Sequence, residues 1–114
     1  MNKLIISFLL IAFGTVQSLD AADRLTPETL WNMKRVSSPA ISPDGKTVIF
    51  AVKVYDTETN KSDIDLFTVG VEGGEPKLLS GGPQKDLAAT WAPDGKRIYF
   101  LSDRTEKIQI WSMN

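Results

Sequence analysis

Beyond Ser37, apolar residues recur with a period of two. Val48, Phe50, Val52 and Val54 alternate with Thr47, Ile49, Ala51 and Lys53, the pattern of a β-strand. The second set is only partly polar, which predicts a strand buried on both sides for some of its length. Tyr55–Asp63 is polar and predicts a loop, Ile64–Val71 a second strand, and Glu72–Glu75 a tight turn. Pro76–Ser80 is a short third strand, with proline at its start, where the missing donor does least harm. Three more strands follow at Leu87–Ala92, Lys96–Ser102 and Ile108–Asn114, the last two separated by the polar Asp103–Lys107.

One segment keeps a helical signature instead. Thr26 can cap, Pro27 suits the first helical position, and Glu28 lies in the first turn. Lys34 and Arg35 are expected in the last turn, and Leu25 and Leu30 at the staple positions. Leu30 and Met33, with Trp31 on the flank, are expected to face a core in a purely structural role.

The strand pattern is stated twice. Ser42-Pro43-Asp44-Gly45-Lys46 and Ala92-Pro93-Asp94-Gly95-Lys96 each precede an apolar run ending on phenylalanine. Proline presets the second position of a type I turn, aspartate suits the third, and glycine takes the left-handed conformation at the fourth. Asp44 and Asp94 therefore need no catalytic explanation. Ile41 corresponds to Trp91, Val48 to Ile98, Phe50 to Phe100, Leu66 to Ile110, Phe67 to Trp111 and Val69 to Met113. Apolar positions repeat while the intervening loop changes length. A spacing of roughly fifty residues with several short strands per unit predicts β-propeller blades.

Composition narrows the chemistry. The chain has 114 residues, 13 Lys+Arg against 14 Asp+Glu, and 42% hydrophobic residues. That length bounds it to one domain or part of one. No basic block points to nucleic acid or an anionic membrane surface. With no cysteine and no histidine, it can build neither a thiolate or imidazole metal site nor a Ser-His-Asp triad. No cofactor is expected.

Residues 1–18 read as a secretory signal peptide, with Lys3 in the positive region and an apolar run from Leu4 to Phe13. That run is shorter than the roughly 20 residues of a membrane span. Cleavage is expected after Ser18, and less favourably after Ala21 or Ala22, which would place Leu19 or Asp20 at the −3 position. No stable span should remain after cleavage. The expected location is outside the cytoplasm, and the absence of cysteine suits a bacterial periplasm.

Other constellations read as structural. Asp56, Glu58, Asn60, Asp63 and Asp65 are acidic, but a calcium loop counted from Asp56 would need glycine at Lys61 and glutamate at Phe67. A solvated hairpin loop fits better. The glycines of Gly70–Glu75 and Ser80–Lys85 lack the ending of a phosphate loop. Trp91, Tyr99 and Trp111 are expected to pack between blades, and Asp103 and Arg104 to order a loop as a pair. No catalytic, cofactor-binding or metal residue is assigned.

The Pro-Asp-Gly units resemble the propeller repeats of TolB-like proteins and of prolyl oligopeptidase family serine peptidases. Leu25 to Glu28, Arg35 to Ser37 and Ser42 to Lys46, in that order, resemble the propeller entry of exported family members of the acylaminoacyl-peptidase and dipeptidyl-peptidase type. The resemblance runs from about Leu25 to Asn114. It implies an all-β fold: a partial β-propeller of about two blades of antiparallel strands, preceded by the signal peptide and one short helix. The corresponding divisions are 1–18, a helical segment 19–36, a first blade at about 37–82 and an incomplete second at about 86–114.

The resemblance also implies a separate α/β-hydrolase domain carrying the catalytic serine in a Gly-x-Ser-x-Gly elbow, a motif this chain lacks. The chain is thus expected to be the N-terminal piece of a longer protein. Its role would be gating and scaffolding for an enzyme that cleaves short peptides, with peptides as partners through the missing domain and a homodimer as the form of the full-length protein. The alternative is a TolB-like periplasmic binding propeller without catalytic function. Alone, two blades would expose edges and aromatics, so the segment is expected to fold poorly or to associate.

Overall fold

The computed structural model describes residues 25–114. The expected signal peptide and its cleavage site lie outside these residues. A short helix, α1 (Pro27–Asn32), leads into seven strands: β1 (Arg35–Ile41), β2 (Thr47–Asp56), β3 (Lys61–Gly70), β4 (Lys77–Ser80), β5 (Asp86–Trp91), β6 (Ile98–Ser102) and β7 (Gln109–Met113). They form two antiparallel meanders, β1-β2-β3-β4 and β5-β6-β7. This is the all-β, partial-propeller arrangement expected from the strand pattern.

Both sheets are built on one plan. In each Pro-Asp-Gly turn the glycine amide donates to the carbonyl three residues back, Gly45 to Ser42 at 2.8 Å and Gly95 to Ala92 at 2.9 Å. Both glycines hold left-handed φ, 72° and 68°, which a side chain disfavours. The aspartates accept the next lysine amide but one, Asp44 from Lys46 at 3.1 Å and Asp94 from Lys96 at 3.0 Å. The first strand of each sheet carries a register shift, between Ser37 and Ala40 and between Leu87 and Thr90. At these shifts Ser38 and Ala88 also take positive φ, as the extra residue of a β-bulge must be accommodated. Pairing repeats as well: Val48 opposite Val69 and Phe50 opposite Phe67 become Ile98 opposite Met113 and Phe100 opposite Trp111.

The core lies between the sheets. Ile49, Ala51 and Leu66 of the first sheet pack with Ala89, Ile98 and Phe100 of the second, flanked by Ile64, Leu79, Trp91, Trp111 and Met113. β5 is the central contact, touching β1, β2 and β3. The alternation in β2 therefore has a definite inner face. Ile49, fully buried, points to the second sheet, while Phe50 lies on the other face and stacks on Phe67 at 6.0 Å.

Three expectations are corrected. The loop predicted at Tyr55–Asp63 shrinks to Thr57–Asn60, because Tyr55 and Asp56 pair with Ser62 and Lys61. Asp56 Oδ1 accepts the Glu58 and Thr59 amides at 2.9 and 3.1 Å, and this local bonding closes the hairpin without a longer loop. Lys34 and Arg35 are outside the helix, which has no basic residue in its last turn; Arg35 starts β1, where its backbone pairs opposite Lys53. No residue of α1 is buried, and Leu25, Leu30 and Met33 are exposed. The helix is held instead by Trp31, edge-on to Tyr55 at 5.3 Å, with the Arg35 guanidinium over both rings.

The core assignment makes a stability prediction. Leu66→Ala should cost about 2–5 kcal/mol, as expected for a fully buried leucine, whereas Ile110→Ala at an exposed position should stay within about 0.5 kcal/mol. Chemical denaturation of the two variants beside the parent chain checks this.

Candidate functional site

Among the described residues the most organised polar constellation is a seam at one end of the two sheets. It is built from Ser80 at the end of β4, Asp86 at the start of β5, Ser102 at the end of β6, and Arg104 just beyond it. The meander order explains the convergence. β4 is the outer strand of the first sheet and runs into β5, while Asp86 and Ser102 sit opposite each other across the β5–β6 ladder. Asp86 and Ser102 are completely buried.

The Arg104 guanidinium donates through Nη2 to both carboxylate oxygens of Asp86 at 3.1 Å and through Nε to the Ser102 hydroxyl at 2.9 Å. The Ser80 hydroxyl donates to Asp86 Oδ2. Gln84 reaches the same oxygen at 3.5 Å and the Gly81 carbonyl at 3.2 Å. Beneath the guanidinium lie Trp111, with its ring centroid 4.9 Å away, and Phe100 at 5.2 Å. Burial alone would raise the Asp86 carboxyl. Hydrogen bonds from Ser102, Ser80, Arg104 and Gln84 outweigh it and hold the group below the usual aspartate range. A buried charge kept in this way must be paired and hydrogen-bonded.

Asp65 on β3 has the opposite balance. Burial pushes its carboxyl up, against a hydrogen bond from the Gly82 amide, with the charges of Asp63 and Asp86 adding to the rise. Its Oδ1 is buried without a hydrogen-bond partner among the described residues.

The residues singled out from sequence disperse. Asp56, Glu58 and Asn60 close the β2–β3 hairpin, whereas Asp63 and Asp65 are strand residues of β3. Asp44 accepts the Ser42 hydroxyl at 2.5 Å inside its own turn, and that bond, followed by the Lys46 amide, lowers its carboxyl. The two Pro-Asp-Gly turns are neighbours and border a shallow cleft of about 440 Å³ lined by Ser42, Pro43, Asp44, Thr47, Trp91, Asp94 and Gly95. Trp91 and Trp111 pack against the inter-sheet core as expected. Tyr99 does not: it points to the other face of β6 and is 38% exposed, because successive strand residues face opposite ways.

Asp103 and Arg104 are not partners. Asp103 accepts the Lys85 amide at 2.7 Å, ordering the loop, while Arg104 turns inward to Asp86. Asp86 was hidden in sequence within the polar Gly81–Asp86 connection. Its signal was weak: an aspartate at the very start of a strand. Among the described residues no group of three or more carboxylate, histidine or cysteine side chains could hold a metal. No described helix is long and apolar enough to cross a membrane. Chemically, the seam fastens one sheet to the next.

Comparisons with known proteins place this geometry. No protein-family model matches the chain. Over 91 residues, 80% of the chain, it is 40% identical to dipeptidyl-peptidase 5 of Porphyromonas gingivalis. The chain spans 13% of the length of that relative. Among solved structures, an acylaminoacyl peptidase in complex with Z-Gly-Gly-Phe-chloromethyl ketone superposes over 75% of this chain and 13% of its own, with a TM-score of 0.62 and 22% identity. A TolB-like protein from Agrobacterium tumefaciens superposes over 72% of this chain and 27% of its own, with a TM-score of 0.53 and 27% identity. The resemblance drawn from the Leu-Thr-Pro-Glu, Arg-Val-Ser and Pro-Asp-Gly-Lys series is borne out by these relatives.

The seam carries a prediction with two arms. Arg104→Ala should cost about 3 kcal/mol, the low end for breaking a buried pair, since the arginine side chain keeps 31% exposure while Asp86 keeps none. The carboxylates should also separate by pH. Asp86, with its lowered folded value, contributes stability that is present above the ordinary aspartate range and lost as pH falls through the folded value. Asp65, with its raised value, costs stability once it ionises. Asp65→Asn should therefore raise stability at neutral pH, with the gain vanishing in acid. Denaturation midpoints measured across pH for the parent and both variants check these signs.

Proposed function

We propose that this chain is part of the β-propeller of an exported serine peptidase of the prolyl oligopeptidase family, of the dipeptidyl- or acylaminoacyl-peptidase type. The observation that carries this reading is the 40% identity to dipeptidyl-peptidase 5 over 80% of the chain. The two stacked meanders accord with it.

In this reading the chain supplies architecture rather than chemistry. The stacked sheets form one sector of a wall beside the active site, and that wall admits short peptides and excludes folded ones. Cleavage of residues from peptide N-termini occurs by acyl transfer to a serine in a separate α/β-hydrolase domain. The chain's own residues position that wall. The inter-sheet core sets the angle between neighbouring sheets, and the Asp86–Arg104 seam pins one end of the contact. Residues 1–18 direct export to the periplasm.

The second reading, a TolB-like binding propeller without a hydrolase domain, draws support from the 27% identity to the Agrobacterium protein over 72% of the chain. The greater identity to the peptidase ranks the first reading higher.

One experiment separates the two. An antibody against the Thr57–Asn60 hairpin turn is used on fractionated source cells, beside a fluorophosphonate probe for active serines. The peptidase reading expects a probe-labelled band, several times larger than this chain, in the periplasmic fraction. A large unlabelled band supports the binding propeller. A band confined to the cytoplasm contradicts both.

A further inference from the structure

Near α1 two cations face each other without an acid between them. Arg35 on β1 is directly opposite Lys53 on β2, and like charges so placed destabilise an antiparallel pair. One repeat further on, the equivalent positions are Lys85 and Asp103. There a base meets an acid, and the Asp103 carboxylate accepts the Lys85 amide at 2.7 Å. Among the described residues neither Arg35 nor Lys53 makes an ion pair. Asp56, farther along β2, is held by the Glu58 and Thr59 amides of its own hairpin.

Both cations gather on Tyr55. The Arg35 guanidinium lies 4.5 Å and the Lys53 ammonium 4.6 Å from its ring centroid. Stacking occupies a face of the guanidinium and leaves its N–H edge free to grip an oxyanion. Hydrogen bonding from Lys53, with the charges of Lys53 and Arg35, holds the Tyr55 phenol below its ordinary value, so the phenolic oxygen lies in the field of both. Lys53 and Tyr55 follow Ile49 and Ala51 along the inner face of β2, past the apolar layer, so the cluster is on neither free sheet face. Trp31, 5.6 Å from the same guanidinium, also lines a recess of about 430 Å³ with Pro27, Glu28, Asn32 and Thr57. That volume suits a small ligand. Glu28 in its wall disfavours a bare phosphate and suits the N–H groups of a peptide.

We propose that Arg35, Lys53 and the Tyr55 hydroxyl form a carboxylate-binding site, which takes the free C-terminus of a short peptide and seats its last side chain in the recess beside Trp31. The choice of a peptide as the source of the carboxylate rests on the peptidase reading; the site itself does not. The other source of the same chemistry is an aspartate or glutamate side chain of the longer protein.

Calorimetric titration with Ala-Ala-Phe and with its C-terminal amide tests this, on the full chain and on the longer protein after fluorophosphonate has blocked its serine. The free acid should bind about tenfold or more tightly than the amide, which lacks the charge-assisted contacts. Arg35→Gln and Lys53→Gln should each erode that preference, and the double variant should abolish it. Arg35→Lys should keep part of it and Lys77→Gln, on the distant β4, all of it. Circular dichroism of each variant should match the parent, because the backbone pairing is untouched. Equal binding of acid and amide by the parent, or binding of neither, overturns the proposal. So does a preference that the double variant keeps. A preference shown by the chain and lost in the longer protein overturns the peptide as ligand and gives the site to an internal carboxylate. Failure of fluorophosphonate labelling counts against the peptidase reading alone, since the comparison of acid with amide reads the site whether or not a catalytic serine is present.

Discussion

The structure depends on one contact, the apolar layer where Ile49, Ala51 and Leu66 meet Ala89, Ile98 and Phe100. Neither meander can shield a face by itself. A single antiparallel sheet of three or four strands buries little until something covers one side, and burial is the dominant favourable term in folding. The paired bulges, the Pro-Asp-Gly turns and the matched registers all bring two similar faces to a common spacing. The small alanines at 51 and 89 let the sheets approach around the larger side chains, which keeps the layer close-packed.

The polar seam acts on the same contact in a different way. An ion pair with full burial on one side is weak evidence of stability, since desolvation consumes much of the attraction. Its geometry restricts which sheet can sit where. Asp86 receives Ser80 from the first sheet, Arg104 from its own, and a floor of Trp111 and Phe100 under the guanidinium. The first sheet has Val36, Val52 and Val54 at the matching positions, so among the described residues the device occurs once. One end of the inter-sheet contact is thereby marked.

Much of the fold was legible in sequence because it rests on local chemistry. Pro43-Asp44-Gly45 and Pro93-Asp94-Gly95 define turns through backbone preference alone, and period-two runs define strands. The residue correspondences between the two units reappear in the registers, where Phe50 faces Phe67 as Phe100 faces Trp111. What escaped was what needs a third dimension. The inner face of β2 is set by the second sheet, so alternation could not rank Ile49 above Phe50. Arg104 and its true partner are far apart in sequence, whereas Asp103 is adjacent and drew the pairing to itself. The hairpin at Thr57–Asn60 was overextended because its polar flanks, from Tyr55 to Asp63, disguise a strand end whose hydrogen bonds are nevertheless complete.

The functional reading inherits this hierarchy: a sheet stack that positions a wall, with the chemistry elsewhere. The inter-sheet layer makes the two meanders one cooperative unit. Native-state hydrogen exchange tests this most directly, by comparing the amides of Ile49 and Leu66 with those of Phe100 and Trp111. All four should open with the same free energy and respond together to denaturant. Exchange in the second sheet at a distinctly lower free energy, with the first sheet still protected, would contradict it.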